Sequence, residues 1–208
     1  MNEQYTAKSI YSITTENGFE TYIDERGINT LRAYRGRDIK VTVPEGIQAI
    51  FCDAFAYSRI EEVVLPEGLL QIGARAFSNC ARLKSIVVPE STVYIMNEAF
   101  ENCTSLSSVI LPKEFGGISS NAFKNTGIET AVFPAGIKRT FGAVYVECKK
   151  LTTAIIIEPD MVLDPQEFSK CENLETVYYD GPLNNLPLLI KNKIEKKKTI
   201  QLKKISEL

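Results

Sequence analysis

The chain has 208 residues, with 24 Lys or Arg, 26 Asp or Glu, no His and no Trp, which gives a formal net charge of −2. This balance provides no general basic surface for nucleic acid. The longest wholly apolar stretches, such as residues 154–157, are far shorter than the roughly 18 residues that span a bilayer. Without His, the chain has no Ser/His/Asp or Cys/His nucleophile and no His-ligated metal.

The N-terminal segment lacks the basic and apolar regions of a signal peptide. As it stands, the sequence predicts a cytoplasmic protein. A secreted or cell-surface chain from which a leader had been removed would look the same. Within residues 1–37, two short alternating stretches, 19–23 and 30–34, flank a turn-like segment at 24–27. We expect them to form a hairpin that caps the N-terminal end of the next region.

Residues 38–182 repeat with a period of 22 or 23 residues. Each repeat carries an aliphatic triplet, in most cases followed by Pro: VTVP (41–44), VVLP (63–66), IVVP (86–89), VILP (109–112), AVFP (131–134), AIII (154–157) and VYYD (177–180). Eleven residues after each of the first six comes an aromatic residue: Phe55, Phe77, Phe100, Phe123, Tyr145 and Phe168. Three residues later a small residue follows: Ser58, Cys80, Cys103, Thr126, Cys148 and Cys171. Units this short cannot bury an apolar face alone, so they must stack as a solenoid. Stacking places the aromatic residues of neighbouring repeats on one another, as an aromatic column in the core.

This pattern resembles the BspA-type leucine-rich repeat, whose unit reads approximately L-x-x-I-x-I-P-x-x-h-x-x-I-G-x-x-A-F-x-x-C, with h an apolar residue. Residues 69–89 match it almost position by position, and the match weakens where Tyr145 replaces Phe and Glu167 replaces Ala. The resemblance implies a β-rich α/β fold, a leucine-rich-repeat solenoid of about six and a half units. Parallel strands are expected on one face and short helical turns on the other, although a short third strand there remains an alternative.

The second residue of each triplet should point outward, because side chains alternate along a strand. Apolar residues occupy this position in six consecutive repeats, where a solvent-facing strand is usually polar. We call these six residues the apolar strip and take them as the candidate partner-binding surface: Val64, Val87, Ile110, Val132, Ile155 and Tyr178. Polar neighbours would complete the footprint: Lys40, Glu62, Ser85, Ser108, Thr130, Thr153 and Thr176. Mutual shielding of β-branched side chains, or cover by the C-terminal segment, are the alternatives.

Residues 183–208 contain seven lysines and two glutamates. A solvated basic cap or tail is expected, with a polyanion or anionic-lipid contact as the alternative. The lysines of this segment are Lys191, Lys193, Lys196, Lys197, Lys198, Lys203 and Lys204.

The five cysteines include no C-x-x-C pair, so we predict reduced thiols and no metal site. Neighbouring repeats would bring Cys80 near Cys103, and Cys148 near Cys171, which leaves a redox pair or soft-metal site as the alternative to simple packing. Cys52 lies outside the small-residue column and is the best candidate for a reactive thiol.

No catalytic residue, cofactor or metal ligand is predicted. The resemblance implies a non-catalytic module for protein recognition or adhesion, and the alternative is a cytoplasmic scaffold or inhibitor that uses loops or the basic tail. We expect another protein as the partner, no nucleic acid, no membrane span, and a monomer or weak oligomer. The expected units are the cap (1–37), the solenoid (38–182) and the basic C-terminal cap or tail (183–208).

Overall fold

The computed structural model describes residues 11–195 and 200–208. Its chain begins with an antiparallel meander of β1 (Tyr11–Glu16), β2 (Phe19–Ile23) and β3 (Asn29–Tyr34). The strands β2 and β3 occupy the residues expected to form a hairpin, and β1 is an additional strand. Residues 1–10 of the expected cap lie outside the described residues.

The repeats form successive rungs of a β-solenoid with two walls of parallel strands. Strands of three or four residues, here called the triplet wall, alternate along the chain with two-residue strands, here called the isoleucine wall. They are β4 (Lys40–Thr42), β5 (Ala49–Ile50), β6 (Glu62–Val64), β7 (Gln71–Ile72), β8 (Ser85–Val87), β9 (Tyr94–Ile95), β10 (Ser108–Ile110), β11 (Gly117–Ile118), β12 (Thr130–Phe133), β13 (Thr153–Ile156) and β14 (Thr176–Tyr179).

The isoleucine wall joins the N-terminal meander to the solenoid. Its strands follow one another in the order β3, β5, β7, β9 and β11, with Leu31, Ile50, Ile72 and Ile95 in register. These side chains are almost fully buried. The meander therefore continues the core of the first rung instead of standing apart from it.

The third side of the regular rungs carries the aromatic residue and the Ala before it, as in Ala76 and Phe77. It consists of hydrogen-bonded turns. Arg75 and Asn79 adopt left-handed conformations, with φ of 54° and 60°, so a helix cannot continue through them. The amides of Arg75, Phe77 and Asn79 donate to carbonyls of the next rung at 2.9, 2.8 and 2.8 Å. The expected short helical turns are thus single turns tied together by a ladder between rungs.

The aromatic column forms a stack through the core, as predicted from its spacing. From Phe55 to Tyr145, successive ring centroids lie 4.8–5.3 Å apart with interplanar angles of 3–14°. Tyr34 of β3 extends the stack, 5.3 Å from Phe55. Phe168 leaves the stack and contacts Phe133 edge to face, with centroids 6.1 Å apart.

The C-terminal segment closes the last rung. It contains a 3-10 turn (Leu183–Asn185), α1 (Leu188–Glu195), β15 (Gln201–Lys203) and a second 3-10 turn (Ile205–Glu207). The strand β15 pairs in parallel with β14, while Leu186, Ile190 and Ile200 are buried against the core. Lys196, Lys197 and Lys198 of the basic tail lie outside the described residues. No helix in the described part of the chain is long and apolar enough to cross a membrane.

Candidate recognition surface

The apolar strip lies on the outer face of the triplet wall. Val64, Val87 and Ile110 are 59%, 58% and 57% exposed, whereas Val132, Ile155 and Tyr178 are half-buried. The neighbouring triplet positions point inward, since Val63 and Leu65 are buried. The described part of the C-terminal segment caps the far end of the solenoid, where β15 pairs with β14. It does not cover Val64, Val87 and Ile110, so that alternative is wrong for these three residues.

Hydrogen bonding between rungs keeps strip residues side by side. Ile110 pairs with Val87, and Ile155 pairs with both Val132 and Tyr178. A residue that the sequence did not reveal ends the row: Lys203 of β15 is in register with Tyr178, and its ammonium lies 5.7 Å from the ring centroid. No repeat motif precedes Lys203, so periodicity gave no signal for it. The row thus ends in a cation over an aromatic ring.

One border of the strip consists of the outward residues at the start of each strand. Lys40 and Glu62 form an ion pair at 2.9 Å, and Ser85, Ser108 and Thr130 are exposed. This border is therefore polar, with the charges of its first two rungs matched to each other.

The other border, here called the proline-side rim, lies in the turns after the strands. Its first three rungs carry the exposed residues Glu45, Glu67 and Glu90. Each of these turns starts at a proline, and in the second of them the Leu69 amide donates to the Pro66 carbonyl at 3.3 Å. Sequence reasoning missed this rim, although the dipeptide Pro-Glu in three successive repeats was the available signal.

The four cysteines of the small-residue column are buried, and Cys52 is exposed. The thiols of Cys80, Cys103 and Cys148 each donate to the carbonyl of an aromatic residue one rung earlier, all at 3.1 Å. The hydrogen bond with Cys80, together with burial, raises the pKa of Cys103. The column therefore packs the core and satisfies backbone carbonyls. Within the described residues, no group of three Cys, Asp or Glu side chains is arranged to hold a metal ion.

One carboxyl group lies in the core, where a buried acid can be a candidate for a catalytic role. Glu167 is fully buried, and its two oxygens accept hydrogen bonds from the amides of Val144 and Tyr145 at 2.9 and 2.6 Å. Burial raises its pKa to about 8. Both oxygens of this buried carboxyl are thus taken up by backbone amides, so it satisfies the backbone of the neighbouring rung.

An open cleft of about 340 Å³ lies between the meander and the isoleucine wall. Tyr22, Phe51 and Cys52 line it, together with Asp24. The Asp24 carboxylate is already engaged by the Arg26 side chain and the Ile28 amide. Cys52 is exposed at this cleft, and Asp24 is the one carboxylate among the residues that line it.

Comparison with known proteins agrees with this geometry. The chain matches the sequence profile described as "BspA type Leucine rich repeat region", with six copies, over residues 35–152 and 70–196. No curated protein sequence gives a significant match.

Solved structures share the fold. A leucine-rich repeat protein of T. pallidum superposes with a TM-score of 0.75 at 20% identity, covering 92% of this chain and 98% of that one. A leucine-rich repeat protein of Bacteroides ovatus gives 0.64 at 26% identity, covering 69% of this chain but only 38% of that one. The pneumococcal vaccine antigen PcpA gives 0.58 at 17% identity, covering 81% and 64%. From its repeat columns, its solenoid fold and its match to the family profile, the chain belongs to the BspA-type leucine-rich repeat family.

Proposed function

We propose that this chain is a non-catalytic protein-recognition or adhesion module whose contact surface is the apolar strip. Repeats of this family form protein-binding or adhesion-type modules. The observation that carries the proposal is that Val64, Val87 and Ile110, on three successive rungs, each expose more than half of their surface. A solvated sheet face usually carries polar residues, so a row of large aliphatic side chains there supports a contact surface.

The size of the strip indicates how a partner must bind. Six rungs about 4.8 Å apart, and a strand width of about 10 Å, give roughly 300 Å². A standard interface takes about 800 Å² from each partner. The strip can therefore be the desolvated centre of an interface, with the polar borders on both sides as its rim.

The test is the triple variant Val64→Thr, Val87→Thr and Ile110→Thr. Threonine retains β-branching, so we expect the melting temperature to change little. Affinity for a protein recovered by pull-down with the intact chain should fall at least about ten-fold, because the centre of the interface becomes polar.

The matched control is Ile23→Thr, Val93→Thr and Val162→Thr, which makes the same chemical change at exposed positions outside the strip. The control should retain affinity. Unchanged affinity in the strip variant would contradict the proposal. If affinity were instead lost in Lys191→Ser with Lys204→Ser, two lysines outside the strip's row, the contact would lie on the basic tail, as in the scaffold or inhibitor alternative.

A further inference from the structure

Charged residues at equivalent positions of neighbouring rungs are usually of opposite sign in this solenoid. Five ion pairs between neighbouring rungs follow this pattern: Lys40–Glu62, Asp53–Arg75, Glu61–Lys84, Glu101–Lys124 and Glu147–Lys170. Their N–O distances are 2.6–2.9 Å. Stacking about 4.8 Å apart makes such pairing natural, since a like-charged neighbour would be repelled.

The proline-side rim departs from this pattern. Glu45, Glu67 and Glu90 occupy the same position on three successive rungs, and all are exposed. Among the ion pairs formed within the described residues, none includes any of the three. Lys113 occupies the same position on the fourth rung, and it meets Glu90 through its backbone amide, which donates to the carboxylate at 3.1 Å. The fold alone therefore does not account for three stacked carboxylates, of which Glu67 and Glu90 lie on the rungs of Val64 and Val87, and Glu45 lies one rung before the strip.

The opposite border of the same rungs is neutral. Glu62 is paired with Lys40, and Glu61 is paired with Lys84. Beyond them the border carries the hydroxyls of Ser85 and Ser108. The surface around Val64 and Val87 is thus asymmetric: an apolar row with matched charges on one side and unmatched negative charge on the other.

We propose that the partner presents a basic amphipathic helix, which lies along the solenoid axis with its apolar stripe on the strip and its Lys or Arg residues on the proline-side rim. This inference rests on the proposed function, because it takes the strip as the contact surface. A helix repeats every 5.4 Å, close to the rung spacing of about 4.8 Å, so over three rungs the two repeats differ by only about 1 Å. An extended strand along the same axis would offer same-face side chains about 6.6 Å apart, which fits the rungs less well.

The helix explains both features of the surface together. Residues spaced i, i+4 and i+7 would place aliphatic side chains on Val64, Val87 and Ile110. Cations on the adjacent helix stripe would then meet Glu67 and Glu90 beside Val64 and Val87, and one more cation a turn earlier would meet Glu45. Beside Ile110, where the rim carries Lys113, the helix residue should be neutral or acidic. Such rim charges chiefly set the association rate and the choice of partner, and their effect falls with added salt.

The test uses two synthetic helical peptides that share one leucine stripe, flanked by lysines in the first peptide and by glutamates in the second. We expect the intact chain to bind the lysine peptide at least about ten-fold more tightly, with the difference shrinking as salt is raised. The variant Glu45→Gln, Glu67→Gln and Glu90→Gln should lose about ten-fold in affinity for the lysine peptide. Fluorescence anisotropy measures both effects.

The control variant is Glu25→Gln, Glu172→Gln and Glu207→Gln, which changes the net charge equally at exposed positions away from the strip. It should bind as the intact chain does. Equal loss in the two variants, or equal binding of the two peptides, would overturn the inference.

The two proposals fail in different ways. If the strip variant loses affinity for the recovered partner while the rim variant does not, the proposed function stands and the basic helix is wrong. If the strip variant loses nothing, both proposals are wrong, whatever the rim variant does.

Discussion

The rungs from Phe55 to Tyr145 and the rung that carries Phe168 bury an aromatic residue in different ways. From Phe55 to Phe123, the amide of each aromatic residue donates to a carbonyl of the next rung, as from Phe100 to Ala122 at 2.8 Å. The Tyr145 amide donates instead to the Glu167 side chain, and the Phe168 amide donates back to the Tyr145 carbonyl at 3.0 Å.

The position of the left-handed residues explains the difference. Around Phe100 they are Glu98 and Asn102, two residues to either side. In the later rung they are Phe168 itself and Lys170. The left-handed residues change position just after the turn at Asp164. There the Asp164 carboxylate accepts a hydrogen bond from the Gln166 amide, and the Asp164 carbonyl accepts one from the Glu167 amide. Aromatic stacking in this solenoid thus accompanies the regular backbone ladder, and the Glu167 side chain takes the place of a ladder carbonyl for the Tyr145 amide.

The largest expected effect is that of Phe100→Ala, because its ring is stacked on both sides and fully buried. We expect the free energy of unfolding to fall by about 3 to 5 kcal/mol. Phe168→Ala should cost about 1 kcal/mol less, since Phe168 lacks the stacked neighbours. Denaturant titration of both variants measures this. A loss below about 1 kcal/mol for Phe100→Ala would contradict the register.

Replacing Glu167 by Ala, the residue of the regular rungs, should destabilise the protein. The variant leaves the buried amides of Val144 and Tyr145 without their acceptor, at a cost of about 1 to 3 kcal/mol for each. Glu167→Gln retains one good acceptor and should lose less. If Glu167→Ala were as stable as the original chain, the later rung must be able to rebuild the regular ladder.

The Glu167 carboxyl group should make the stability of the protein depend on pH. Burial raises the pKa of Glu167 from 4.5 to about 8 in the folded chain, so the folded state holds a proton that the unfolded state has released. Its contribution to stability is complete below pH 4.5 and declines as the pH rises through about 8. We expect the melting temperature to fall over this range, and to fall less in Glu167→Gln. Equal slopes in the two proteins would contradict this assignment.

The smallest expected difference concerns the buried thiols. Cys103 donates to a carbonyl at 3.1 Å, whereas Cys171, next to the irregular rung, is 3.6 Å from its acceptor. In the native state only the exposed Cys52 should react rapidly with a thiol reagent. In mild denaturant, mass spectrometry should detect labelling of Cys171 before that of Cys103. The reverse order would contradict a weaker C-terminal rung.

The repeat columns predicted the solenoid, the aromatic stack and the outward direction of the strip, because each depends on a spacing visible in the sequence. They did not predict β1, which lies outside the period, or the two-residue strands of the isoleucine wall, which are too short to show alternation. The departure of Phe168 was also missed, since it depends on backbone conformation. The rim glutamates were overlooked because acidic residues in turns are common, and only their lack of countercharges distinguishes them.

The column of Glu101, Lys124, Glu147 and Lys170 has a consequence for folding. All rungs offer nearly the same aromatic, cysteine and aliphatic positions, so a chain that looped out one repeat could still stack its core residues. Loss of the repeat with Lys124 would place Glu101 against Glu147, and loss of the repeat with Glu147 would place Lys124 against Lys170. Like charges would then meet where opposite charges lie 2.9 and 2.6 Å apart in the correct arrangement. The alternation of sign therefore favours stacking of each repeat on its true neighbour, a selection that the uniform core cannot make.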